Sequence, residues 1–521
     1  MKIAFLPIDN RPVCYTLPKI ISGIDKTIEF ELPERRYLGD LTKIADIEKL
    51  FSWLENLDKQ DVIILSLDTL IYGGLIPSRR SVETLDELKQ RQERLKNILK
   101  KQSCKILAFS SIMRISNNNY NEEEKEYWSE YGKKIFEYSY NFHKSLLDPT
   151  RKSKISTLHQ GEGICSTKQV NPHNYKDKNS NNGETCPPFE TLPSKTIQRI
   201  VLREAQQKSL ISRRGIIEEK YNYQFKTNIP QEILEDYLAT RKRNFEINKI
   251  YLEWQKEGLF ETLIFSKDDC AQYGLNVIEA QELEKLGGFV KTGADEIPMS
   301  LLSRAIQGEM KVYPVFLEDN QKHLISNYED VSVEKSVIGQ LELAGCKITN
   351  QENCDMILYV NNFKNHQGEI VMKVATESFS GKFELTDRPY MIADVRFANG
   401  SDNKFVEQVL KLDLLSNNFH GYSAWNTTAN SLGSLICGAK VKFLAKNYDK
   451  ESFLKLTQTR LLDDWAYQAN IRQQIEKNDL KALVEKMKPY KKTIDEIFKT
   501  SYNNSYSFPW NRLFEVEVEF N

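Results

Sequence analysis

The stretch FVKTGADEIPMS, residues 289–300, places two adjacent carboxylates, Asp295 and Glu296, just after a short apolar run. A second adjacent pair, Asp268 and Asp269, follows the apolar run ETLIFSK in the same way. Crowded carboxylates disfavour joint ionisation, so one member can keep its proton while the other stays charged. Glycoside cleavage uses such a pair, because one acid protonates the leaving oxygen and another group stabilises the oxocarbenium-like centre. The simpler alternative for either pair is a helix cap.

Polar residues also follow the other apolar runs of strand length. Runs such as DVIILSLD and CDMILYVNN are continuously apolar, which predicts parallel strands covered on both faces. Sites in parallel α/β folds lie at the carboxyl ends of such strands, so we predict one polar cleft there. Its aromatic members would stack on sugar faces, and its Asn and Arg side chains would contact hydroxyl or acetamide groups. The candidate binding residues are Asp9, Asn10, Arg11, Asp68, Tyr72, Arg79, Arg114, Tyr273, Asp394, Trp425, Asn426 and Asn430.

The elements that must position these residues alternate between strands and helices. Segments such as LDELKQRQERLKNILKK carry helix-period apolar positions, so the class is α/β. We predict a parallel-strand domain over residues 1–310, either barrel-like (β/α) or doubly wound, with a helical insertion at about 114–260. A smaller α/β domain follows over 311–450, and a mainly helical segment over 451–521. A polar stretch at about 150–195 has too few apolar residues for a core, which predicts a mobile loop.

Composition narrows the function classes. The 72 basic and 73 acidic residues nearly cancel, which argues against nucleic-acid binding by a broad basic surface. No apolar run reaches the roughly 18 residues that span a bilayer, and the first residues indicate a strand and not a signal peptide. The eight cysteines form no C-x-x-C, and none of the six histidines is paired at metal-ligand spacing. We therefore expect a cytoplasmic protein without a membrane partner, a bound metal or a cofactor. The oligomeric state stays undetermined.

Seven motifs resemble, in the same order, those of the bacterial family catalogued as domain of unknown function 4127. The resemblance covers essentially the whole chain and implies no reaction, because the family is catalogued by sequence alone. The motifs are LPIDNRP, LSLDTLIYGGLIPSR, SSIMR, DDCAQYG, GADEI, AWNTTANSLG and DDWAYQ.

A second resemblance is local. KTGADEIP is similar to the strand-end GGDE of the β-N-acetylhexosaminidases that use substrate assistance. This resemblance implies that Asp295 orients the substrate acetamide and that Glu296 is the general acid. The adjacent Asp268 and Asp269 resemble the Asp-Asp pair of related acetamide-assisted glycosidases, so either pair could serve.

Three functions remain open at this point. The first is a glycoside hydrolase acting on a small glycan, with a small molecule or an oligosaccharide as its substrate. The second is a hydrolase or phosphotransferase that uses Mg²⁺ or Mn²⁺ and acts on an anionic substrate. Its metal would be held by Asp9, Asp68, Asp268 and Asp295. The third is a binding protein whose cleft only holds a ligand. We favour the hydrolase of glycosides.

Overall fold

The computed structural model describes residues 1–147, 227–268 and 270–521. The predicted mobile loop at about 150–195 lies outside the described residues, and so does Asp269. Everything stated below about the structure concerns the described part of the chain.

Six parallel strands form the first sheet, in the order β2-β1-β3-β4-β5-β6. The strand bodies are apolar because both faces are covered, and β3 is buried at every residue. The order is that of a doubly wound fold, in which the connections reverse direction between β1 and β3. The strands are β1 (Lys2–Leu6), β2 (Glu29–Glu31), β3 (Val62–Ser66), β4 (Lys105–Ile112), β5 (Thr262–Lys267) and β6 (Phe289–Thr292). The helices are α1 (Thr16–Ser22), α2 (Ile47–Glu55), α3 (Leu67–Ile71), α4 (Leu75–Arg80), α5 (Leu85–Leu99), α6 (Trp128–Leu147), α7 (Gln231–Lys256), α8 (Leu275–Lys285) and α9 (Ile297–Ala305).

A second parallel sheet repeats this arrangement, in the order β8-β7-β9-β11-β13. Its central strand β9, MILYVN, is also buried at every residue. Two short strands, β10 and β12, pair beside it. The elements are β7 (Lys311–Phe316), α10 (Val333–Leu343), β8 (Lys347–Ile348), β9 (Met356–Asn361), β10 (Gly368–Glu369), β11 (Tyr390–Asp394), β12 (Phe397–Ala398), α11 (Asn403–Val409), β13 (Phe419–Ser423) and α12 (Thr428–Leu444).

Both sheets are open in the described residues, so the barrel-like alternative is not confirmed. The first sheet ends at β2 and β6, and the second at β8 and β13. The parallel α/β class is confirmed, and the doubly wound alternative describes both sheets. The predicted boundary near residue 310 falls between the last strand of the first sheet and β7. The proposed division into three domains stays a prediction.

Helices α9 and α12 join the two sheets. Helix α9 contacts β3 and β4 of the first sheet, α12 contacts β11 and β13 of the second, and the two helices pack on each other. Close approach depends on Gly433 in α12, where a Cβ atom would lie 2.5 Å from Cβ and Cγ of Glu296. Pro298 in the first turn of α9 suits a helix start, because its missing N–H has no partner to lose there.

The C-terminal part is helical and then ends in a hairpin. Helix α13 (Lys450–Arg460) continues into a π-helical stretch, Leu461–Ile471, and α14 (Leu480–Phe498) follows. Asp464 in the π-helical stretch accepts a 2.6 Å hydrogen bond from the backbone N–H of Ala424, just after β13. This bond joins two of the sequence motifs, DDWAYQ and AWNTTANSLG. The hairpin consists of β14 (Asn504–Ser507) and β15 (Glu517–Phe520), which pair antiparallel.

A search of the described helices for one long and apolar enough to cross a membrane finds none.

Candidate functional site

A polar cleft lies at the carboxyl edge of the first sheet, with a cavity volume of about 90 Å³. The ends of first-sheet strands supply five of its eleven lining residues, as expected for parallel strands. The loop after β13 supplies Asn426, and the connection between the hairpin strands supplies Trp510 and Phe514. Six of the predicted site residues line this one cleft: Asp9, Arg11, Arg114, Asp268, Asp295 and Asn426.

Arg11 bridges two carboxylates at the floor of the cleft. Its Nε donates to Asp9 Oδ2 at 2.9 Å, and its Nη1 donates to Asp295 Oδ2 at 3.0 Å. Its Nη2 donates to Asp295 Oδ1 at 2.5 Å, so the pair with Asp295 is bidentate. All three side chains are buried. The Arg11 guanidinium therefore pairs with one carboxylate that follows β1 and with another that follows β6.

Asp295 is the acid in the cleft wall whose pKa is raised by its environment. Burial raises its pKa above the ordinary value, and the negative charges of Asp9 and Asp268 act in the same direction. The positive charge of Arg11 acts against them without cancelling them. Asp295 therefore holds a proton more readily than an exposed aspartate does.

A second ionic group surrounds Asp268. Arg79 Nη2 and Arg114 Nη1 both donate to Asp268 Oδ2, each at 3.4 Å, and so stabilise its negative charge. Arg114 also contacts Glu123 at 2.9 Å and Glu124 at 3.1 Å. Asp268 is the more open acid, with 21% of its side chain exposed. Asp268 and Asp295 thus have unlike surroundings.

Local backbone geometry places Arg79 beside this group. Gly73 and Gly74 have φ values of +84° and +133°, which glycine adopts without the steric cost of a Cβ atom. They turn the chain from α3 into α4, and α4 carries Arg79 into the interior, where it is 1% exposed.

Glu296 lies outside the cleft, although it is adjacent to Asp295. Its Oε1 accepts a hydrogen bond from Gln340 Nε2 at 3.1 Å, and its Oε2 accepts one from the Ala294 N–H at 3.1 Å. It is fully buried between α9 and α12, against Gly433. Burial raises its pKa well above the ordinary value. The predicted catalytic pair is therefore divided between the cleft and the packing of two helices.

Asp68 and Tyr72 also lie away from the cleft wall. Asp68 accepts hydrogen bonds from Ser110 Oγ at 3.2 Å and from the Ser111 N–H at 2.8 Å, which tie α3 to β4. Burial raises the pKa of Asp68 to about 6, against these hydrogen bonds. Tyr72 lines a separate cavity of about 440 Å³, which shares only Ile76 with the cleft.

The remaining predicted residues pack or form hydrogen bonds elsewhere. Asn10 accepts from Trp510 Nε1 at 2.6 Å and so positions the cleft wall. Tyr273 packs edge-on against Tyr140. The other three are buried: Trp425 meets Phe514 edge-on, Asp394 accepts from Asn361 and Tyr422, and Asn430 lies in the first turn of α12.

Trp510 forms an aromatic wall of the cleft in an unusual backbone conformation. Its φ of 55° lies in the left-handed region, where a bulky side chain is rare and costs conformational energy. The guanidinium of Arg11 lies 5.0 Å from its ring centre and that of Arg512 lies 4.6 Å away. Such a backbone outlier beside a cluster of charged side chains is typical of a functional site.

Sequence reasoning missed five residues of this region. Glu123 and Glu124 come from the connection after β4, and the other three come from the segment FPWNRLF. A hydrophobic pattern gives no signal for such residues, since none of them follows a parallel strand directly. The C-terminal residues are Trp510, Arg512 and Phe514.

Among the described residues, no group of three or more His, Cys, Asp and Glu side chains is arranged to hold a metal ion. Two of the four aspartates suggested as metal ligands, Asp9 and Asp295, instead share Arg11. Asp68 is engaged by Ser110 and Ser111. Their geometry gives no support to a shared magnesium site.

Comparisons with known proteins give one match. A family model described as "Protein of unknown function (DUF4127)" matches residues 3–168 and 198–519, which confirms the family indicated by the seven motifs. Searches of curated proteins and of solved structures find no match.

Proposed function

Because the chain belongs to the DUF4127 family, whose description names no activity, we propose its function from the geometry of the cleft: a glycoside hydrolase acting on a small glycan. Asp295 is the proton donor to the leaving oxygen, and Asp268 is the carboxylate that stabilises the positive charge of the transition state.

The observation that carries the proposal is the unlike environment of two acids in one cleft. Burial and neighbouring carboxylates raise the pKa of Asp295 against its bidentate pair with Arg11. Asp268 is instead 21% exposed and contacts two guanidinium groups, each at 3.4 Å. In glycosidases, a difference in environment decides which carboxyl group is the acid and which is the stabilising carboxylate. Trp510 adds a flat apolar face to the same cleft, suited to one side of a sugar ring.

The charge balance of the wall also favours a sugar. Four acids and two arginines line the cleft: Asp9, Glu123, Asp268 and Asp295 with Arg11 and Arg114. Most of these groups form ion pairs with one another. The cleft therefore offers hydrogen-bond donors and acceptors without a strong excess of positive charge. Sugar hydroxyls can donate to the carboxylates and accept from the guanidinium groups.

The local resemblance to β-N-acetylhexosaminidases supplies less support. Glu296, the general acid in that reading, faces α12 and not the cleft. Asp295 and Asp268 keep a place in the proposal, and an N-acetylhexosamine remains one candidate sugar. Asp269 lies outside the described residues, so its role in an Asp-Asp pair stays a prediction.

The test is hydrolysis of a panel of aryl glycosides by the purified chain and by Asp268→Asn. Asp319→Asn is the matched control, since Asp319 is an exposed aspartate far along the chain, with 69% of its side chain accessible. We expect one glycoside to be cleaved by the wild type and the control and not by Asp268→Asn. Equal cleavage by all three proteins, or by none, would contradict the proposal.

The other candidate enzyme acts on an anionic substrate with a divalent metal. The observation in its favour is the set of arginines around Glu123. Dialysis against a chelator separates the two, because a phosphotransferase of this kind loses turnover without Mg²⁺ or Mn²⁺ whereas the proposed glycosidase does not. A protein that only binds would be stabilised by a sugar and would turn over none.

A further inference from the structure

Three arginines surround a single carboxylate at the rim of the cleft. Glu123 lies within 2.6 Å of Arg512 Nη1 and within 2.9 Å of Arg114 Nη2, and Arg79 Nη1 lies 3.5 Å away. Burial acts to raise the pKa of Glu123, but the charges of these arginines outweigh it and hold the pKa far below its ordinary value. The three guanidinium groups therefore form a strong binding place for one negative charge.

Arg79 is poorly satisfied in this arrangement. Its three contacts with acids are all 3.4–3.5 Å long, and its Nε has no hydrogen-bond partner although the side chain is 1% exposed. A buried guanidinium with unmet donors is costly, since charged groups lose most when they are desolvated without good partners. A ligand that completes the hydrogen bonds of Arg79 would remove this cost.

Glu123 can leave this place without unfolding its surroundings. It lies in an irregular connection between β4 and α6, and it contributes only its side chain to the arginine group. The backbone on either side is held independently, because Arg80 donates to the carbonyl oxygens of Asn121, Glu122 and Glu124. Rotation of the Glu123 side chain alone would therefore remove its carboxylate from the arginine group.

The cleft is small, so a side chain in its wall must move before a sugar can bind. Its cavity of about 90 Å³ is smaller than the roughly 300–1,000 Å³ of a typical ligand pocket. Glu123 lines the cleft, so its rotation would enlarge the space next to Asp268. Once it moves, Arg512 and Arg114 lose their contacts of 2.6 Å and 2.9 Å with its carboxylate.

We propose that Arg79, Arg114 and Arg512 bind a carboxylate of the substrate sugar, and that Glu123 occupies this place when the cleft is empty. The inference rests on the proposed function and narrows it to glycosides of acidic sugars. Arg114 contacts both Glu123 and Asp268. The carboxylate therefore belongs to the sugar whose glycosidic bond is broken, next to the stabilising acid.

Calorimetric titration with D-glucuronate, D-glucose and inorganic phosphate tests this without requiring turnover. We expect wild type to bind glucuronate at least tenfold more tightly than glucose, since one charge-assisted hydrogen bond is worth about a factor of ten. Glu123→Gln removes the competing charge and should tighten glucuronate binding about tenfold, with a much smaller change for glucose. Glu126→Gln, an exposed residue of the same connection, is the control and should match wild type.

Arg512→Gln provides the opposite test and is more exposed than Arg79, so it is the safer variant for folding. It should weaken glucuronate binding about tenfold or more and change glucose binding by much less. Equal binding of the two sugars by wild type would overturn the inference, and so would weaker glucuronate binding by Glu123→Gln. Phosphate that binds as tightly as glucuronate would show a general anion site and would overturn the acidic-sugar assignment. If the expected binding pattern appears but no glycoside is cleaved, the arginine subsite is supported and the hydrolase proposal fails.

Discussion

Asp295 and Glu296 are neighbours in the chain, yet their carboxyl groups serve different parts of the molecule. Asp295 forms a bidentate pair with Arg11 in the cleft, and Glu296 accepts hydrogen bonds from Gln340 and from the Ala294 N–H between two helices. The turn between β6 and α9 separates them, because successive residues there point to opposite sides. Glu296 stands at the N-cap position of α9 but makes no side-chain capping hydrogen bond. The catalytic role of Asp295 stays a prediction.

Replacement of Asp295 by Asn should separate good from poor leaving groups. A proton donor matters most when the departing alcohol is a weak acid, so turnover of a natural glycoside should fall about a hundred- to ten-thousandfold. Turnover of a dinitrophenyl glycoside should stay within about tenfold of wild type. Asp268→Asn should slow both substrates. Steady-state kinetics on the two substrates measures this difference, and equal losses on both with Asp295→Asn would refute its role as the acid.

Replacement of Glu296 by Gln should leave kcat unchanged. Gln has the shape of the protonated acid, which burial favours at this position. We expect a change in the free energy of unfolding of about 1 kcal/mol, the usual worth of one altered hydrogen bond. Urea denaturation together with kcat measures both quantities. A drop in kcat beyond about tenfold would show that Glu296 reaches the reacting atoms after all.

Gly433→Ala tests the packing that confines Glu296. The new Cβ atom would lie 2.5 Å from the Cβ and Cγ atoms of Glu296, so the helices must separate, at a cost of about 1–3 kcal/mol. Gly339→Ala in α10 is the matched control, because its Cβ atom would meet only the flexible end of Lys291. That variant should be neutral or more stable by up to about 1 kcal/mol through helix propensity. Thermal and urea denaturation of the two variants should give opposite signs, and equal destabilisation would contradict the close approach of α9 and α12.

Trp510→Ala should raise KM for a cleaved glycoside by about tenfold or more, because the sugar loses an apolar face. Trp510→Phe keeps a ring and loses only the hydrogen bond from Nε1 to Asn10, so its KM should rise less. Trp53→Ala in α2, which is not among the residues that line the cleft, is the control. Michaelis kinetics on the three variants gives the comparison, and identical KM values for Trp510→Ala and wild type would remove Trp510 from the binding surface.

Glu515 should make stability depend on pH. It is buried, its Oε1 has no hydrogen-bond partner, and burial raises its pKa from 4.5 to about 8, against the charge of Arg11. Between these values the folded protein keeps a proton that the unfolded chain has released. The free energy of unfolding therefore falls as pH rises through this window, by up to about 1.4 kcal/mol per pH unit. Below pH 4.5 both states are protonated and this contribution is constant.

Glu515→Gln removes this proton exchange, so its stability relative to wild type should grow between pH 5 and pH 8. Urea denaturation at the two pH values measures the change. Glu519→Gln, an exposed position on β15, should show no such growth. The interpretation of Glu515 is wrong if both variants follow wild type at both pH values.

The sequence predicted the parallel strands and six residues of the cleft for a simple physical reason. A strand covered on both faces must be continuously apolar, so the first polar residue after it marks the edge of the sheet. The same signal cannot show whether a carboxylate at that edge faces open space or backbone donors. Asp68 and Asp394 follow strands as Asp295 does, yet neighbouring side chains and N–H groups satisfy them.

The residues that were missed have no periodic pattern to reveal them. Glu123 lies in an irregular connection, and Trp510 reaches the cleft through a left-handed turn between two hairpin strands. Their positions follow from contacts across hundreds of residues, such as the ion pair of Arg512 with Glu123. The choice between a barrel and an open sheet also depends on which edge strands find partners. The pairing of edge strands depends on tertiary structure, so the sequence of a single strand does not reveal it.

Trp510 and Phe514 line the same cleft as Asp9, which affects when the cleft can form during synthesis of the chain. The wall needs side chains that the ribosome adds about five hundred residues apart. Domains generally fold in order as the chain emerges, so the first sheet can form early while its cleft still lacks a side. Nascent chains and products of premature termination before residue 510 would hold the acids without the aromatic wall, and the cleft would be complete only after residues 510–514 have been translated.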